Sequence, residues 1–253
     1  MKKIIKKSLI GGFSLIGISF LIWLILLLNP SLMYGNHTDV GKVRIHHNET
    51  LTSEMTMIVE QSIELVKKSE LYDADKRVDL CLNESKYVYL LQRLSHGGIA
   101  ATLLNNVGIF VDINPAENYA FWRWEINDNE LRKWKLTELI AHEMTHAYQY
   151  NDNAFMPLQV DTWKVEGYAE YISRTNRGDL KTNILRLIEE EQKESKGLPW
   201  IVLEDGTGTS KIYFRNWLMM EYMMTIKGMT YLEVAADKTP LDDVKNEMIN
   251  WAK

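Results

Sequence analysis

One cysteine in 253 residues, Cys81, excludes an internal disulfide framework and any thiolate metal cluster. Alone, it reads as a small buried hydrophobe on a strand. Five prolines, fourteen glycines and no low-complexity tract or repeat exclude fibrous, solenoid and disordered classes. No charge occurs from Ser8 to Leu28, no acidic residue precedes that run, and no alanine appears before Ala74. The small-x-small site at which a signal peptide is cut is therefore missing. Basic charge is scarce beyond the N-terminus: without Lys2, Lys3, Lys6 and Lys7, 25 basic residues face 34 acidic ones, a net of about −9. That balance argues against nucleic acid or anionic lipid as a partner of the main body.

The uncharged run is about 21 residues, which at about 1.5 Å each spans roughly 30 Å, the thickness of a bilayer core. Four lysines before it place the N-terminus in the cytoplasm and the rest outside. The expected organisation is a cytoplasmic segment 1–7, a transmembrane signal-anchor 8–28, a tether 29–50 and one domain over 51–253. A cleaved signal is the alternative.

Within the domain, Thr52 or Ser53 caps a helix carrying Met57, Ile58, Ile63, Leu65 and Val66. Arg77 to Leu82 alternates as a strand, and Lys86 to Leu94 reads as a short helix ended by Gly97-Gly98. A short strand is expected over Val40 to His47, with His46 and His47 as ordinary surface histidines facing opposite ways. Val107 to Ile113 is a strand before Asn114-Pro115. At a sheet edge it could pair with an extended peptide, and an interior position is equally compatible with its sequence. The aromatic stretch Tyr119 to Trp134 packs the core or lines a cleft, packing being the commoner use. Leu180 to Lys196 and Thr239 to Trp251 read as later helices, the "EEEQKE" run as a solvated face.

The chemistry concentrates in Ala141 to Tyr150, which contains His142-Glu143-Met144-Thr145-His146. On a helix from Leu136 to about Tyr150 the two imidazoles are i and i+4, one turn apart on one face, the spacing that grips one zinc ion. They border an apolar stripe of Leu136, Ile140, Met144 and Ala147, rooted in the core with space above. Glu143 follows the first ligand and is the candidate general base, taking a proton from water as it attacks a carbonyl. A third ligand has to come from elsewhere. A second helix from about Asp161, "DTWKVEGYAEYISR", offers Glu166 and Glu170 on one face, where one can ligate zinc while the other holds a ligand histidine. Gly167 and Ala169 would let it approach the first helix closely.

HEMTHAYQ followed by WKVEGYAEYISR resembles the gluzincin metallopeptidases, most closely the peptidase MA-like group that includes plant basic secretory proteins. Their pattern, HExxH and then EG-x-A-[DE]-Y, is met by His142, Glu143, His146, Glu166, Gly167, Ala169, Glu170 and Tyr171. The resemblance covers about Val107 to Trp251. It implies an α+β fold, a small sheet lobe over a mostly helical lobe with one catalytic Zn²⁺ between them. It makes Glu166 the third ligand and Glu170 the group behind a ligand histidine. It also nominates Tyr213, nine residues before Tyr222, as hydrogen-bond donor to the oxyanion. The function implied is a membrane-anchored, extracytoplasmic zinc peptidase acting on peptides or proteins. A non-hydrolytic zinc-containing binding or sensor module, and a zinc amidase acting on cell-wall material, are the competing classes. Oligomeric state leaves no mark in the sequence.

Overall fold

A computed structural model describes residues 17–94, 98–123, 131–150, 160–193 and 200–253. Residues 17–28 form helix α1. Among the described residues no helix is long and apolar enough to cross a membrane, and residues 8–16 of the uncharged run lie outside the described set.

The expected tether supplies two strands, the expected one ending at His47 and another ahead of it. β1 (Asn36–Val40) and β2 (Val43–His47) form a hairpin whose turn uses Gly41 at φ +59°. Helix α2 (Ser53–Val66) follows, capped by the Thr52 side chain accepting from Met55 N–H. Then come β3 (Val78–Cys81), α3 (Lys86–Leu94), β4 (Ala100–Leu103) and β5 (Asn106–Ile109). These strands build a mixed sheet in the order β1-β2-β3-β5-β4. The first-to-second and last pairings are antiparallel, the two central ones parallel.

The apolar run Val107 to Ile113 is thereby corrected. It breaks at Phe110 into β5 and β6 (Asp112–Asn114), which belong to different sheets. β5 is interior, and the edge strand on its side of the sheet is β4. The two histidines are also corrected, since both are buried. His46 Nε2 meets Asp79 Oδ1 at 2.6 Å on the neighbouring strand, and His47 lies between Thr38 Oγ1 and the Glu49 carbonyl. Each ring is buried because it finds polar partners, His46 on a strand distant in sequence and His47 across the hairpin and in the residues that follow it.

β6 pairs with β7 (Tyr119–Arg123), and β7 with β8 (Leu131–Lys135), which runs into α4 (Leu136–Gln149). The N-cap residue of α4, Lys135, offers no side-chain cap. Asn118, held at φ +57°, takes over: its backbone oxygen accepts from Leu136 N–H at 2.9 Å and its Oδ1 from Thr137 N–H at 3.0 Å. At the other end Lys76 Nζ donates to the Ala147 carbonyl at 2.5 Å.

The helical part consists of α5 (Thr162–Ser173), α6 (Leu180–Gln192), the hairpin β9 (Trp200–Val202) and β10 (Gly208–Ser210), α7 (Lys211–Glu221), α8 (Tyr231–Ala236) and α9 (Leu241–Ala252). Alternation along the sheet divides the apolar side chains by face. Val78, Leu80, Ala100, Val107 and Ile109 join α2 and α4 in one core, whereas Cys81, Ala101 and Leu103 face α1 and α3 on the opposite side. A second core joins α5 to α9 around Tyr168, Phe214, Trp217 and Tyr231. The chain is thus α+β, and its metal-motif helix lies between the sheet and the helical part.

Candidate metal centre

His142 and His146 stand one turn apart on α4, and Glu166 comes from α5 packed beside it. Nε2 of His142 lies 3.1 Å from Nε2 of His146. Glu166 Oε2 lies 3.3 Å from the first and 3.4 Å from the second. Among the described residues these three form the group able to hold a metal ion.

The fit to zinc can be tested on this triangle. Bonds of 2.0–2.1 Å in a tetrahedral site give donor–donor edges of about 3.3–3.4 Å, close to those observed. The outer ring atoms fix which nitrogen is free. Gln149 donates through Nε2 to the Val165 carbonyl and to Tyr231 Oη, both at 3.0 Å. Its Oε1 is therefore left to accept from His146 Nδ1–H at 2.7 Å. Glu170 Oε1 lies 3.2 Å from His142 Nδ1, off the axis of a well-formed hydrogen bond. Both imidazoles are thereby directed to present an Nε2 lone pair to the centre. Two lone pairs and a carboxylate oxygen at such separations repel unless a cation lies among them, so the donor set fits Zn²⁺.

The electrostatics agree. Burial pushes the pKa of His142 down, but the close carboxylates of Glu166 and Glu170 and the charge of Glu143 outweigh it, and the value rises to about 10. His146 is also raised: burial opposes, Glu166 prevails. Burial pushes Glu170 up, yet Arg174 and His142 hold its carboxyl down at about 2. Arg174 itself bridges Glu170 and Glu138, with Glu138 Oε2 at 3.4 Å. The pocket is an anionic cup that attracts positive charge.

Glu143 is buried beside the first ligand. The Thr102 hydroxyl on β4 lies 2.8 Å from both its Oε2 and its backbone oxygen, one proton serving either acceptor. Tyr213, at the start of α7 where Ser210 caps the helix, brings its ring centroid to 5.9 Å from that of His142. Burial first, and then Glu166, Glu143 and Glu170, hold its phenol well above the ordinary range, so it is a protonated donor. A cavity of about 520 Å³ opens beside these groups, walled in part by Leu139, Trp134, Trp200 and Tyr213. Trp134 meets Trp200 edge to face at 5.0 Å. It packs against the core and lines the cavity at once, so the two readings of the aromatic stretch are both met there. Trp124 lies outside the described residues.

The structure thus brings together all six residues singled out from the sequence. It relocates the role of Gly167, however. A Cβ there would stand 2.5 Å from the Asn216 carbonyl oxygen, so the close approach is of α5 to α7 and not to α4. Sequence reasoning missed three supports. Gln149, three residues after His146, and Arg174, four after Glu170, carry a helical-spacing signal that could have found them. Thr102 carries none, because its short strand contains no motif.

A family model described as collagenase matches residues 39–234, from β1 into α8, and so takes in every residue of this centre. No curated protein and no solved structure matches.

Proposed function

The chain belongs to the collagenase family of zinc metallopeptidases, and on that premise we propose that it hydrolyses peptide bonds outside the cytoplasm while anchored to a membrane by residues 8–28. The observation that carries the reading is the convergence of His142, His146 and Glu166 beside the buried carboxylate of Glu143. HExxH on one helix and a glutamate on the next is the gluzincin arrangement, and it supports our reading of the chain as a member of that group. The narrower likeness to plant basic secretory proteins rests on the motif residues alone.

His142, His146 and Glu166 hold one zinc ion, Gln149 and Glu170 orient the two imidazoles, and Arg174 keeps Glu170 ionised. Bound zinc supplies Lewis acidity, acidifying water and polarising the scissile carbonyl. Glu143, steadied by Thr102, takes the proton of the attacking water and passes it to the leaving amide nitrogen. The Tyr213 phenol donates to the oxygen on which negative charge develops. The cavity beside them, walled by Trp134 and Trp200, suits a large apolar side chain next to the scissile bond.

The anchor reading is supported by the uncharged run and its four preceding lysines, which orient the domain to the outside. The general-base role is tested with Glu143→Gln. Zinc content measured by atomic emission should stay at that of the parent, while cleavage of a mixed peptide library is abolished. Cleavage that survives in this variant would show that the base is another group. A parent protein that binds zinc and leaves every peptide uncut would overturn the peptidase reading in favour of a binding module.

A further inference from the structure

Helix α1 is two-faced only at its outer end. Ile18, Phe20, Leu21, Ile22, Ile25 and Leu28 are between 43% and 60% exposed, an apolar surface that a soluble domain rarely shows to water. Trp23 and Leu27, one turn apart, turn inward instead and pack with Tyr34, Tyr87, Val88 and Leu91. The fixing is polar as well as apolar. The buried Leu27 carbonyl accepts from Tyr87 Oη–H at 2.8 Å and from Asn106 Nδ2–H at 3.2 Å. Just beyond, Ser85 Oγ donates to the Met33 carbonyl at 2.7 Å, and Tyr34 Oη to the Leu82 carbonyl at 2.6 Å. Swinging the domain about this joint would strip partners from buried polar groups, each of which is costly to leave unpaired. A joint of this kind is a bracket, not a tether.

Beside the bracket lies α3. Its exposed residues include Lys86, Tyr89 and Arg93, at i, i+3 and i+7, hence on one face, and the helix contains no acidic residue. Basic ends for phosphates and a tyrosine with an apolar ring and a polar tip are the chemistry of the lipid headgroup layer. Trp23 lies on α1 about 7 Å below its outer end at about 1.5 Å per residue. With residues 8–28 in a bilayer, the α3 side chains packed around Trp23 and Leu27 therefore lie within about 7 Å of the hydrocarbon boundary, beside the headgroup layer.

From these observations, and resting on the anchor reading above, we propose that the outer face of α3 and the exposed side of α1 form one membrane-contact surface. Its partner is the outer leaflet of a bilayer, whose headgroup phosphates meet Lys86 and Arg93, and it holds the peptidase domain at one fixed attitude. The sheet separates α1 and α3 from α4, so the metal centre lies on the far side of the sheet from this surface.

The test uses the full chain reconstituted into vesicles of phosphatidylcholine and phosphatidylglycerol. A nitroxide is placed at Tyr89→Cys, and in a separate protein at Asn250→Cys on α9. Cys81, being fully buried, does not label. The ratio of oxygen to nickel-complex accessibility should be severalfold higher at 89 than at 250. Adding Lys86→Glu and Arg93→Glu should return position 89 to the value at 250 without releasing the protein from vesicles. If the protein floats with vesicles but position 89 is as water-accessible as 250, the contact surface is refuted while the anchor stands. If it does not float with vesicles, the anchor reading falls and takes the contact surface with it.

Discussion

Replacing Gly167 by alanine isolates how the third ligand is placed. A Cβ at this position would lie 2.5 Å from the Asn216 carbonyl oxygen, 3.1 Å from its carbon and 3.3 Å from Met220 Cβ. The oxygen is part of the α7 backbone and cannot rotate away. To restore that contact to even 3.0 Å, α5 and α7 must part by at least about 0.5 Å. Alanine contributes about 1 kcal/mol of helix propensity, against about 1–3 kcal/mol of overpacking. The net loss of stability is thus only about 0–2 kcal/mol, and melting alone decides little. Zinc affinity decides more. Glu166 and Glu170 ride on α5, and half an ångström exceeds the tolerance of about 0.2 Å within which a metal bond keeps its strength. Zinc should bind about 10–100-fold more weakly, read by competition with a chromophoric chelator. The stabilisation that zinc gives in thermal unfolding should shrink in step. A variant that melts earlier yet binds zinc within twofold of the parent would refute this reasoning and leave Gly167 a packing residue only.

Three further expectations follow from the same geometry. Thr102→Val removes a hydrogen bond to a carboxylate worth about 1.5–3 kcal/mol and should lower kcat about 10–100-fold with zinc content and KM unchanged. Thr102→Ser should restore kcat, and a serine variant as impaired as the valine one would refute the hydrogen bond as the cause. Glu221 on α7 is buried with Oε2 lacking a hydrogen-bond partner, and burial raises its pKa despite the opposing charge of Arg177. A carboxyl raised in the folded state binds more protons folded than unfolded, so wild-type stability should rise as pH falls from neutral toward the ordinary carboxylate range. Glu221→Gln should flatten that slope in urea unfolding, and an unchanged slope would refute the assignment. A chain beginning at Asn29 loses the Leu27 burial and its two accepted hydrogen bonds, about 2–4 kcal/mol. It should melt several degrees below one beginning at Gly17, and equal melting would show that the α1 joint is not formed in solution.

What could be read in advance was whatever local pattern decides. The α4 motif, the Thr52 cap, the α3 bounds at Lys86 and Leu94 and the burial of Cys81 on β3 all follow from spacing within a dozen residues. What escaped depends on pairing between distant segments. Asn36 to Val40 is a polar edge strand without alternation, so nothing in it distinguishes strand from tether. His46 reads as a surface residue until Asp79 is placed opposite it. An apolar run such as Val107 to Ile113 suits an edge or an interior equally, and the insertion of β5 between β3 and β4 is what decides. The small face of α5 was legible as a close contact, but its partner was not. Two helices could receive it, and the Asn216 backbone did.

The strand that the sequence marked least connects the two ends of this protein's chemistry. Along β4, alternation sends Ala101 and Leu103 toward the cluster holding Trp23 and Leu27, and the intervening Thr102 toward Glu143. The joint to α1 and the support of the proposed base, Glu143, are therefore one peptide unit apart, on opposite faces of a single edge strand. β4 is fixed along only one side, by its antiparallel pairing with β5. Its position must accordingly be set by what packs on its two faces, α3 and α1 on one and α4 on the other. Side-chain packing at native density transmits sub-ångström shifts across such a layer instead of absorbing them. A protein whose anchor cluster is intact and one whose cluster is stripped thus present Thr102 to Glu143 differently. The loss on removing residues before Asn29 should consequently appear in kcat as well as in melting, whereas a tether would leave kcat untouched.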